Sequence, residues 1–412
     1  MMSREVFVIG CGASGMSAAI MAAQRGARVT VLESMKNPGR KLLLTGNGRC
    51  NLSNTDPDPA SRYRSDTDAS SGQFARTVFS RFSVSDTLRF LSETGICTTA
   101  RGEYLYPRSM QAQSVVELLT DRMRRLGVRV RFDTKVLGLR RTDNNSDERW
   151  EIITQGWTYR AGSVILCAGS KAYPSTGSDG SGYELASSCG HSVMPVVPAL
   201  TALVTEERNL RSASGDRTMA AVTLNTQDIS ITEQGELQWT DTGISGIVVF
   251  NLSRYAARAA AEGKRASVSI DLFPDMEEYE LRRLLSRLPG NTKENVSSAS
   301  VRSLLPARLR EAIFSSFGNR KGKTGACMDT DTAVRCFKHL ELTVTGVRPF
   351  EQAQVCAGGV SLSEVSPDTL ESKICPGLYF AGEILDIEGP CGGYNLQWAW
   401  SSGALAGMSV PL

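Results

Sequence analysis

The stretch that decides the fold is VFVIGCGASGMSAAIMAAQRGARVTVLE, residues 6–33. Val6 to Ile9 form an apolar run of the kind a buried parallel strand requires. Gly10, Gly12 and Gly15 then spell G-x-G-x-x-G. The first glycine permits a tight turn, the second lets backbone approach a pyrophosphate, and the third lets the following helix lie against the strand. Ala13 and Ser14 complete the turn, 17–26 read as its helix, and 27–32 read as the next strand. Glu33 closes the unit. A carboxylate there suits an adenosine ribose 2′-OH and repels a 2′-phosphate, so the site is expected to take FAD or NAD rather than NADP.

The rest of the chain limits what the protein can do. At 412 residues, two or three domains are expected. No window supplies the roughly 18 apolar residues of a membrane span. MMSREVFVIG enters a strand with no basic leader, so a cytoplasmic location without membrane attachment is expected. The ten cysteines include no C-x-x-C, which argues for reduced thiols and against a dithiol redox mechanism or a zinc site. With only His191 and His339 present, a histidine metal site or a Ser-His-Asp triad is poorly supported, and no metal is expected. A cofactor is therefore expected to carry the chemistry. His191 reads as a capping or packing residue, and Cys11 as inert within the glycine turn. Residues 254–323 hold 14 Lys and Arg against 8 Asp and Glu, a surplus of six, which reads as solvated helix surface or as a face for RNA.

Residues 39–54, GRKLLLTGNGRCNLSN, have no period and read as a functional loop. Residues 56–73 read as an exposed excursion, 74–93 as one helix, and 136–160 as antiparallel strands. After Pro198, short alternating segments predict a small barrel, with helices from 250 to 317. Near the other end, GLYFAGEILDIEGPCGGYNLQWAWSSGALAG places a strand before Ala381-Gly382-Glu383, then two glycines before a helix. Amide groups at such a helix start favour the negative charge that collects near flavin N1 and the C2 carbonyl on reduction. No second G-x-G-x-x-G follows a strand, so one nucleotide is stored and any nicotinamide visits transiently.

Four motifs extend the reading: GRKLLLTGNGRCN at 39–51, TGSDGSGY at 176–183, AQVCAGGVSL at 353–362 and GEILDIEGPCGGYNLQWA at 382–399. In these the chain resembles the BaiN/RdsA family of FAD-dependent oxidoreductases, also labelled aminoacetone-oxidase-type flavoproteins. The resemblance implies an α/β Rossmann-type FAD-binding domain split between the two ends, 1–197 and 347–412. It also implies an inserted β-barrel at 198–252 and 323–346, which carries a helical insertion at 253–322.

The resemblance assigns Gly10, Gly12, Ala13, Ser14 and Gly15 to the phosphate turn and Glu33 to the ribose. Arg40 and Lys41 fall near the pyrophosphate, and Asn47, Gly48, Arg49, Cys50 and Asn51 beside the isoalloxazine. Val136 matches a backbone contact to adenine, and Ala168 and Gly169 a close pass by the dinucleotide. Gly382, Glu383 and Asp386 match the ribityl and pyrophosphate segment, and Gly393, Tyr394, Asn395 and Leu396 the helix start at the flavin. Two departures, Ser181 for an acid and Cys391 for a threonine, are expected on the substrate side.

Reduction of C=C by a flavin needs a nearby proton donor, for which Tyr394, Cys391 and Cys50 are candidates, while Arg49 would stabilise developing charge. The expected activity is an NADH- or NADPH-driven reduction of an electron-poor C=C. The substrate is either a uridine of 23S ribosomal RNA, giving dihydrouridine, or a conjugated 3-oxo steroid or bile acid. Alternatives are an oxygen-using amine oxidase and a non-catalytic flavoprotein that senses redox state or binds RNA.

Overall fold

The computed structural model describes residues 5–66, 71–142, 149–320 and 326–412. Two compact units emerge: Met1–Val196 with Val355–Leu412, and Val197–Gln354.

The first unit is built on a five-stranded parallel sheet. Its order is Leu378–Phe380, Ser163–Leu166, Glu5–Ile9, Arg28–Leu32 and Arg129–Arg131. Val8 lies level with Val31 on one side and Ile165 on the other, and Ile165 with Tyr379. Strands from both ends of the sequence thus share one sheet. The central strands are apolar because both faces of such a sheet are covered. Val6, Val8, Val31, Val164, Ile165 and Leu378 are buried among them.

Helix Ala13–Gln24 follows the first strand and packs on the C-terminal helix Tyr394–Ser409. Small residues permit this contact. A Cβ at Gly403 would meet the Ser14 carbonyl oxygen at 2.3 Å, and one at Gly407 the Ala18 carbonyl oxygen at 2.3 Å. The Ser17 hydroxyl also donates to the Trp400 carbonyl (3.0 Å).

One helix expected over 74–93 is two, Ser71–Arg81 and Val84–Glu93. Ser83 breaks it, because its hydroxyl accepts the Asp86 N–H while the Asp86 carboxylate accepts the Ser83 N–H, a capping box that starts a new helix. The excursion at 56–73 is anchored rather than wholly exposed, since Tyr63 is buried and its hydroxyl donates to the Tyr394 carbonyl (2.6 Å). Residues 67–70 of that segment lie outside the described residues.

The second unit contains a closed six-stranded barrel. Its strands run Leu203–Thr205, Gly243–Ser245, Ser230–Trp239, Arg217–Asn225, Ala266–Asp271 and Leu340–Val347 around the closure. Here the expected boundaries need correction. Ala266–Asp271 falls inside the expected helical insertion 253–322, yet it pairs with Arg217–Asn225 and Leu340–Val347. Its alternation of Ala, Val and Ile inside with Ser and Asp at the surface is a strand period of two. The helix before it, Ile247–Ala261, packs on barrel strands. The excursion from the barrel instead lies between 271 and 340, with helices Glu278–Arg287, Ala307–Phe317 and Thr330–Lys338. The last of these falls where a returning barrel segment, 323–346, was expected.

Candidate active site

The glycine turn is shaped as its sequence requires. Gly10 has φ 99°, and a Cβ there would meet the Cys167 carbonyl oxygen at 2.5 Å. A Cβ at Gly15 would lie 2.0 Å from the Gly10 carbonyl oxygen. At Gly12, which caps the helix, a Cβ would meet nothing within 4 Å. The first-turn amides of Ala13, Ser14 and Gly15 have no capping side chain and fit an anionic pyrophosphate.

Glu33 is buried behind that turn. Its carboxylate accepts the Cys11 N–H (2.7 Å), the Met35 N–H (2.9 Å) and the Ser34 hydroxyl (3.3 Å). About one of its four acceptor positions remains for a ribose hydroxyl. The Glu33 carbonyl accepts the Thr134 N–H (2.8 Å), which brings the strand beginning at Val136 alongside. Ala168 packs against Gly10, and Gly169 turns away at φ 75°.

Gly39 donates to the Cys11 carbonyl (2.9 Å), which ties the loop carrying Arg40 and Lys41 to the glycine turn. Lys41 Nζ pairs with Glu383 Oε2 (2.5 Å), and Ser170 Oγ donates to the same oxygen (3.1 Å). Arg40 makes no ion pair among the described residues. Asp386 is fully buried and accepts the Ser65 hydroxyl (2.8 Å) and the Asp66 N–H (3.0 Å). A Cβ at Gly382 would meet Ser14 Oγ at 2.5 Å, which places the 382–386 segment beside the glycine helix.

The loop 45–51 is wound left-handed at Gly46, Asn47, Gly48 and Cys50. Asn47 and Cys50 carry the cost of that conformation. Assigned from its hydrogen bonds, the Asn51 amide oxygen accepts the Gly393 N–H (3.2 Å) and its nitrogen donates to the Ser53 carbonyl (3.0 Å). Ser53 Oγ donates to Gln397 (2.6 Å), and Trp400 Nε1 donates to the Leu52 carbonyl (3.0 Å). The loop is therefore stitched to the C-terminal helix, whose first residues, Tyr394, Asn395 and Leu396, are uncapped by any side chain.

Ser14 is level with Gly403, and Ala18 with Gly407, so the two helices run parallel. The C-terminal helix starts nine residues before Gly403, about 14 Å beyond Ser14 at 1.5 Å per residue. Two amide-lined helix starts thus face the same way, offset along one line. A ligand suited to both must be long and carry negative charge, as FAD does.

The candidate proton donors differ. The Tyr394 hydroxyl donates to Asp56 Oδ2 (2.8 Å), and Arg62 Nε holds the same oxygen (2.9 Å). Burial and the Asp56 carboxylate push the Tyr394 phenol above its ordinary value. Burial pushes the half-buried Cys391 thiol up to about 11. Cys50 is fully buried and pushed up to about 12, so its thiol is withdrawn from the site and only its backbone remains there. Arg49 is exposed and makes no ion pair among the described residues. Sequence reading missed Asp56 and Arg62, whose segment looked like an unstructured excursion.

Ser181, expected on the substrate side, is bound to Asp179. Its N–H (3.0 Å) and hydroxyl (2.6 Å) donate to Asp179, which pairs with Lys135 next to Val136. Its neighbourhood is the expected adenine end. His191 packs as expected, buried against Phe380 and hydrogen-bonded to Ser372 (2.8 Å). Cys11 is buried, its thiol pushed well up by burial. Among the described residues no cluster of three or more His, Cys, Asp or Glu is arranged to hold a metal, and no helix is long and apolar enough to cross a membrane.

Residues 4–409 match the HI0933-like protein Rossmann domain family. The chain belongs to that family. Its fold is a Rossmann-type FAD-binding fold, and it is a FAD-dependent oxidoreductase, in line with the BaiN/RdsA resemblance carried by its motifs. It is 42% identical over 415 residues to a 3-dehydro-bile acid delta(4,6)-reductase of Clostridium scindens, covering 98% of each chain. It is 27% identical over 401 residues to a ribosomal RNA dihydrouridine synthase of Escherichia coli, covering 97% of this chain and 96% of the relative. Among solved structures, a 3-ketosteroid delta1-dehydrogenase from Sterolibacterium denitrificans aligns over 99% of each chain with a TM-score of 0.50 at 12% identity, a likeness of fold alone.

Proposed function

We propose that this family member is an NAD(P)H-driven reductase of a C=C bond conjugated to a carbonyl, with a 3-oxo steroid or bile acid as acceptor. The observation that carries this reading is the 42% identity, over 98% of both chains, to a bile acid reductase. FAD, when bound, supplies hydride transfer from the nicotinamide to the acceptor. Gly12 and the amides of 13–15 would hold its pyrophosphate, Glu33 its ribose, and the 393–396 helix start its flavin.

The chain's own groups supply the remaining needs. Hydride addition to a conjugated enone leaves negative charge on the carbonyl oxygen, and a proton must reach carbon. Arg49 is the residue we assign to the oxygen. Tyr394 and Cys391 both keep their protons at neutral pH. A donor that has not already ionised in solvent is what the second step demands.

A ribosomal uridine is the second reading, favoured by the dihydrouridine synthase relatives and the basic stretch. That stretch is less free than its charge count suggests. Lys264 pairs with Asp228 and Arg282 with Asp331, both acids from outside 254–323. The test is anaerobic. NADH or NADPH should bleach the flavin, and a 3-oxo-Δ4 steroid should restore it stoichiometrically. Bleaching by amines alone would favour an oxidase instead. Altered dihydrouridine in 23S ribosomal RNA on gene deletion, with no steroid turnover, would favour the RNA reading.

A further inference from the structure

The strand Tyr104–Pro107 alternates half-buried Tyr104 and Tyr106 with buried Leu105 and Pro107. Both tyrosines therefore stand on the same face of the strand. That face looks onto two segments already placed at the expected flavin ring. A Cβ at Gly392 would meet Tyr104 Cε1 at 2.9 Å. A Cβ at Gly46 would meet Tyr106 Cε1 at 3.5 Å, and Asn51 N lies 3.1 Å from the same point. One ring thus lies against the 391–393 turn and the other against the 45–51 loop.

The strand is fixed in this position. Ser53 pairs with Leu105 and Asn54 with Tyr104, the Leu52 N–H donates to the Leu105 carbonyl (2.7 Å), and Asn54 Nδ2 donates to the Gly392 carbonyl (2.9 Å). The absence of a side chain at Gly46 and Gly392 lets the rings lie against these turns, and both rings remain only half-buried. Neither phenol has a hydrogen-bond partner among the described residues. Two aromatic faces held on rigid backbone beside a redox centre are a platform for a flat ring.

We infer that Tyr104 and Tyr106 form the wall against which the flat conjugated ring of the acceptor lies. The inference rests on the reductase reading for the identity of that ring, and on the strand geometry for its location. The ligand class is a planar ring carbonyl, and a 3-oxo-Δ4 steroid and uridine are its two sources.

The test uses FAD-loaded enzyme without reductant and reads binding from the change in flavin absorbance. The probes are 4-androstene-3,17-dione and uridine. The double variant Y104A/Y106A should bind the responding probe about tenfold more weakly, while remaining folded and retaining FAD. The double variant Y104F/Y106F keeps both faces and should stay within about threefold of the parent. Equal binding by the parent and the alanine variant overturns the wall and leaves the reductase reading intact. Binding lost with the alanines, in an enzyme that no nicotinamide and enone will turn over, supports the wall and sinks the reductase reading. A parent that responds to neither probe overturns both.

Discussion

Gly403 lies directly on Ser14: a β-carbon at Gly403 would come within 2.3 Å of the Ser14 carbonyl oxygen. This contact joins residues 389 apart in sequence and aligns the two helix starts proposed to frame the cofactor site. Gly403→Val should push the helices apart. Overpacking of this kind costs about 1–3 kcal/mol, and here it also misaligns both ends of the FAD site. The expected outcome is a lower melting temperature together with FAD loss on gel filtration. A folded, fully yellow G403V protein would contradict the role given to this contact.

Glu33 accepts the Cys11 N–H and the Met35 N–H from behind the glycine turn. Its removal leaves buried amide donors unmatched, at about 1–3 kcal/mol. Glu33→Ala should weaken FAD binding at least tenfold, measured by titrating apoprotein and following flavin fluorescence. Glu33→Gln retains one acceptor oxygen and should lie between. Unchanged FAD affinity in both variants would remove Glu33 from the ribose site.

The parts of this site legible in the sequence are those written in local motifs. Gly10, Gly12, Gly15 and Glu33 lie within one strand–helix–strand unit, so their spacing alone fixes their geometry. The 391–396 turn is similarly local. Asp56 and Arg62 were not legible, because their meaning comes from Tyr394, more than three hundred residues away, and their Asp- and Pro-rich surroundings look like loop. Tyr104 and Tyr106 form an alternation too short to separate from chance. In the second unit, Ala266–Asp271 was overlooked because helix signals before and after it outweighed six residues of strand period.

The Tyr394–Asp56–Arg62 chain predicts a pH signature. Burial pulls the Asp56 carboxyl upward, but the Asp58 N–H, Arg62 and the Tyr394 hydroxyl outweigh it and hold it below its ordinary value. Its contribution to stability is present above the ordinary carboxyl pKa of about 3.9 and fades as pH falls through the folded value. Tyr394 is raised, so its contribution is present below the ordinary phenol pKa of about 10 and fades as pH rises. Asp56→Asn removes the carboxylate's share of that rise. Tyrosinate absorbance should then appear at lower pH in D56N than in the parent, and the difference should vanish when Tyr394→Phe is added. No displacement in D56N would mean that burial alone sets the phenol.

Cys391 and Tyr394, the two proposed proton donors, can be told apart. Cys391 is pushed up to about 11 by burial, so at pH 7 to 8 it is a thiol, slow to react with iodoacetamide. Tyr394 shares its proton with an anchored carboxylate, which opposes the charge that would remain on the phenolate. The easier proton to give is therefore that of Cys391. Loss of a general acid costs about 10²–10⁴-fold. Cys391→Ala should slow flavin reoxidation by the enone by that order while leaving reduction by NADH or NADPH near the parent rate, since hydride delivery to the cofactor needs no proton from this thiol. Tyr394→Phe should affect the same half-reaction by less than tenfold. Stopped-flow traces of the two half-reactions decide the matter: a slow reoxidation in Y394F with a normal one in C391A would reverse the assignment.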